Sequence, residues 1–120
     1  MDFNGAIRAH TEWKLRLLNY SWGNLNDTID MASLRKDDLC ALGRWIHGEG
    51  QQYQFDADWR EMARAHASFH LRAAEVAAMV ECGQGAAAEA LLSSRESEYG
   101  KLTLQVTDLL MRLKTKYSKA

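Results

Sequence analysis

No proline occurs anywhere in these 120 residues. Proline is the residue that most reliably breaks a helix, because it removes an amide donor and clashes with the preceding turn. Without it a chain can run in long uninterrupted helices, and the apolar residues follow that spacing. Trp59, Met62, Ala63, His66, Phe69, His70, Ala73, Val76, Ala77 and Val80 step by threes and fours, which puts them on one helical face. Glu61, Arg64, Arg72 and Glu75 fall elsewhere on the wheel. This stripe predicts a helix capped by Asp56 or Asp58 and ended near the glycines of ECGQG.

The other segments read similarly. A first helix starts near Asp2 or Asn4 and runs through Phe3, Ile7, His10, Trp13 and Leu17 to about Ile29. A short one runs from Asp37 or Asp38 to Ile46 and carries Cys40, with Gly48 as its stop. GEGQQYQFDAD reads as a loop. The last helix extends from about Ala86 to Tyr117, with Leu91, Leu102, Val106, Leu109 and Leu113 inward and Gly100 bending or dividing it. The expected fold is all-α: an antiparallel four-helix bundle with an additional short helix carrying the cysteine motif, in one domain spanning 1–120.

Composition excludes several roles. A net charge of −1 offers no basic surface for nucleic acid. No long apolar run suggests membrane contact, and the start MDFNGAIRAH lacks the order of a signal peptide. A cytoplasmic setting is the expectation, where two cysteines stay reduced.

His66 and His70 stand four apart in the clearest helix, one turn above another. Packed histidines share that spacing, but two imidazoles on an apolar stripe both need polar partners. His10 lies on the stripe of helix one, and Cys40 beside Leu39 and near Leu42 points inward. Three imidazoles and one thiolate make a tetrahedral zinc set, and soft donors argue against magnesium or calcium. His47 lies seven residues after Cys40. In a continuous helix that is about 10 Å along the axis, too far to share the ion. Gly43 implies a close backbone approach, Trp45 and Trp13 read as covers, and Cys82 reads as a bystander.

The blocks His10-Thr-Glu-Trp13, Cys40-Ala-Leu42-Gly43-Arg-Trp45 with Gly48, and His66-Ala-Ser-Phe69-His70 resemble the chemoreceptor zinc-binding (CZB) domain family. The resemblance implies zinc held by His10, Cys40, His66 and His70. It also implies a helical bundle that commonly dimerises, with an attached chemoreceptor signalling region or diguanylate cyclase as output, and a response to zinc or oxidants. The expected role is regulatory rather than enzymatic. A structural-zinc interaction module is the alternative. A zinc hydrolase fits less well, because HASFH lacks the glutamate that HExxH supplies as general base.

Overall fold

A computed structural model describes residues 3–22, 36 and 40–117, and no strand occurs among them. The helices are α1 (Phe3–Ser21), α2 (Ala41–His47), α3 (Ala57–Glu81), α4 (Gly85–Ser93) and α5 (Glu98–Tyr117), with a 3₁₀ turn at Glu49–Tyr53. The expected run of helix one to Ile29, and the expected start of the short helix at Asp37 or Asp38, lie outside the described residues.

Local chemistry sets the boundaries of α3. Asp56 caps it by accepting from the amides of Asp58 and Trp59 at 2.8 and 3.4 Å. Its end is a Schellman turn, with the Gln84 amide on the Met79 carbonyl and the Gly83 amide on the Val80 carbonyl. That turn needs a left-handed residue, and Gly83 supplies it with φ at 81°.

Two expectations are corrected. The last helix is divided, but at Ser94–Ser97 rather than at Gly100, which lies in the first turn of α5. Ser97 accepts from the Gly100 amide at 3.0 Å and so opens a new helix. Leu91, expected inward, is exposed. The glycine is still required, because a Cβ on Gly100 would stand 1.9 Å from the Ser94 carbonyl oxygen.

Side-chain contacts give the helix directions. Phe3 meets Tyr117 and His10 meets Thr103, so α1 and α5 are antiparallel. Lys116 reaches Asp56 and Gln105 reaches Glu61, so α3 and α5 are antiparallel as well. Helices α1 and α3 therefore run parallel, as His10–Phe69 and Tyr20–Glu81 confirm. The segment carrying α2 makes the return between them.

The interior falls into two apolar clusters. One gathers Phe3, Ala6, Leu42, Trp45, Ile46, Trp59, Met62 and Leu110. The other gathers Leu17, Phe69, Ala73, Ala77 and Tyr99. Burying each large side chain contributes about 1.5–3 kcal/mol. Between the clusters each long helix places a buried polar group: His10 on α1, His66 and His70 on α3, Thr103 on α5. That polar belt locates the site.

Candidate metal centre

Helix α3 presents two imidazoles to the interior, nearly perpendicular to each other at 79°. His66 and His70 are each 1% exposed, and their Nε2 atoms stand 3.1 Å apart. Cys40 meets them from the start of α2, with Sγ 3.3 Å from each Nε2. Cys40 is the cap of the short helix rather than a residue within it, and its sulfur accepts from the Gly43 amide at 3.2 Å. An N–H aimed at sulfur favours negative charge there.

Donor atoms of a tetrahedral zinc stand about 3–4 Å apart, given bonds of about 2.0–2.3 Å. The separations of 3.1 and 3.3 Å meet that requirement, and one sulfur with two imidazoles is a zinc-type donor set. Cys40, His66 and His70 thus fit the ion, all three buried.

The same burial keeps the His66 and His10 imidazoles neutral. His66 is pushed down to about 3, chiefly by burial and then by His70, His10 and His47. His10 is also pushed down to about 3, by burial first, then Lys14 and His70, against a hydrogen bond to the Thr103 backbone that raises it. A neutral imidazole has a lone pair to give without first losing a proton.

His10 is placed differently from the other three. It is buried in the same belt, its ring 4.7 Å from that of Phe69, but it does not join the close group of donor atoms. Its Nε2 lies 2.6 Å from the Thr103 hydroxyl oxygen on α5.

The family model of the chemoreceptor zinc-binding domain matches residues 10–77, more than half of the chain. The chain belongs to the CZB family. The match begins at His10 and contains Cys40, His66 and His70. A search of the curated proteins found no match, and neither did a search of the solved structures.

Around the CZB site the covers are aromatic. Trp13 and His70 meet edge to face at 6.0 Å between centroids, and the Arg16 guanidinium sits 4.5 Å from the centre of the Trp13 ring. Trp45 is buried against Phe3 and Tyr53. His47 ends α2, exposed and outside the group of three. A cleft of about 270 Å³ runs past Trp13, Arg16 and Arg44 and reaches Cys40. Sequence reasoning missed two parts of this CZB centre: the cap role of Cys40 and the polar contact of Thr103. The burial of Thr103 was legible in principle, since it stands between Tyr99 and Val106 on the buried stripe of α5, but its pairing with His10 was not.

Proposed function

We propose that this CZB domain is a regulatory zinc site of four ligands, with His10 joining Cys40, His66 and His70. The observation that carries the reading is the meeting of three lone-pair donors, from the start of α2 and from α3, at 3.1–3.3 Å. His10, neutral and buried in the same polar belt, is the candidate for the fourth place. Zinc, when bound, supplies a link between the cysteine motif and the long helices.

Of the ligands, Cys40 is the one that can be oxidised under mild conditions. Its thiolate takes up oxygen from hypochlorous acid, giving a sulfenic acid and chloride, and the sulfur loses two electrons in the step. A sulfenic acid is a poorer ligand, so α2 is released from α3. The cleft reaching Cys40 offers the route for such an oxidant. A position next to a signalling output, in the cytoplasm, completes the reading. We read the activity as regulatory rather than catalytic, in line with the chemoreceptor zinc-binding family whose model matches residues 10–77. Leu15 on α1 and Trp22 just past its end, 56% and 57% exposed, suit a second copy of the chain as partner.

The test is zinc affinity by competition against a chromophoric chelator, for wild type and for Cys40→Ser, His66→Ala, His70→Ala and His10→Ala. Loss in all four supports the site, and unchanged affinity in the first three would remove it. The burial of the ligands favours a second reading, in which zinc is purely structural. Release to chelator over days, with no acceleration by oxidant, would select that reading.

A further inference from the structure

Thr103 lies outside the stretch that matches the family, on a helix that supplies no proposed ligand. It is nevertheless 5% exposed, and its hydroxyl makes a buried 2.6 Å hydrogen bond with Nε2 of His10, 93 residues away in sequence. A neutral imidazole has one N–H and one lone pair, on different nitrogens. Whichever nitrogen donates cannot bind a metal. Ligating histidines therefore commonly give their other N–H to a fixed acceptor, which sets the tautomer and the ring plane. His66 has no such anchor among the described residues, since its buried Nδ1 lacks a hydrogen-bond partner.

We propose that Thr103 is the positioning residue for His10: its hydroxyl oxygen accepts the Nε2 proton, which leaves the lone pair on Nδ1 for the metal. This rests on the zinc reading above. The bond ties α5 to the site through α1, so the C-terminal helix registers how His10 is held. Phe69, between the His10 and Tyr99 rings at 4.7 and 5.3 Å, closes the other side of the imidazole.

The test compares zinc affinity in wild type, Thr103→Val, Thr103→Ser, His10→Ala and the double variant His10→Ala/Thr103→Val. Loss of the hydroxyl in Thr103→Val is expected to weaken zinc about 10–100-fold, while Thr103→Ser stays close to wild type. In the His10→Ala background the valine is expected to add nothing. Affinity in Thr103→Val equal to or tighter than wild type would overturn the proposal, because Thr103 would then restrain His10 from the metal. An equal loss with and without His10 would overturn it too. Long-range nitrogen–proton NMR on metal-free wild type gives an independent readout that no folding defect can blur. A proton on Nε2 of His10 is expected, and one on Nδ1 rules the assignment out. If Thr103→Val binds normally while His66→Ala loses zinc, only the role of Thr103 fails. If His66→Ala also keeps its zinc, the site itself fails.

Discussion

Cys40 and Cys82 show how the same side chain acquires different chemistry from its surroundings. Cys82 closes α3 at the surface, whereas Cys40 is 7% exposed, with two imidazole nitrogens and an amide around its sulfur. A disulfide reagent is therefore expected to titrate one thiol quickly and the other slowly. Cys82→Ser should abolish the fast phase and leave the slow one. Chelation of bound zinc should accelerate the slow phase, because a metal-held sulfur is not available for attack. Two slow thiols in the wild type would contradict this assignment. The convergence of His66 and His70 in the interior was legible from their spacing of four residues on a buried stripe. The hydroxyl of Thr103 was not, because no sequence rule pairs residues 10 and 103.

At the scale of the elements, two positions decide how the helices join: Gly100 where α4 passes into α5, and Asp56 where α3 meets the end of α5. Gly100 costs about 1 kcal/mol of helix propensity relative to alanine. Alanine there would set a Cβ 1.9 Å from a backbone oxygen, and overpacking of that kind costs about 1–3 kcal/mol or more. The clash exceeds the propensity gain, so Gly100→Ala is expected to lower the denaturant midpoint. A raised midpoint would mean that the Ser94–Ser97 connection yields easily.

Asp56 is the second position. Lys116 and Tyr117 from the end of α5 bind its carboxylate, which also caps α3 and is held well below the usual range, the Lys116 bond contributing most. A carboxylate whose folded pKa is depressed adds stability that is full above its unfolded value, near 3.9. That stability is lost as pH falls through the lower folded value. Asp56→Asn keeps the capping oxygen and removes the charge. The difference in stability between wild type and variant is expected to be constant near neutrality and to shrink below about pH 4. Urea titrations from pH 3 to 7 measure it, and a gap that widens in acid would contradict the assignment.

For the whole molecule, the polar belt between two apolar clusters leaves a weak seam. His10, His66, His70 and Thr103 are buried there at 1–5% exposure and contribute little of the transfer energy that the clusters supply. A ligand that binds only the folded state adds about 2.7 kcal/mol when its free concentration is a hundredfold its Kd. Zinc is therefore expected to raise the melting temperature by several degrees, and a chelator should reverse the rise. In His66→Ala the shift should vanish. A melting temperature indifferent to zinc in the wild type would show that the seam is not where the ion acts. No helix among the described residues is long and apolar enough to cross a membrane.

The sequence by itself determined the all-α character and the long central helix with its acidic cap, and it singled out the candidate donors His10, Cys40, His66 and His70, three of which the fold brings together. Those features are periodic or local, and a missing proline, a capping aspartate and a histidine pair each act within a few residues. Only the tertiary structure decided that α1 and α3 run parallel, that Ser97 divides the last helix, and that the His10 ring meets Thr103 instead of the other three donors. Those depend on which faces exclude water together, and packing between distant segments is set by the whole core at once rather than by any one stretch of chain.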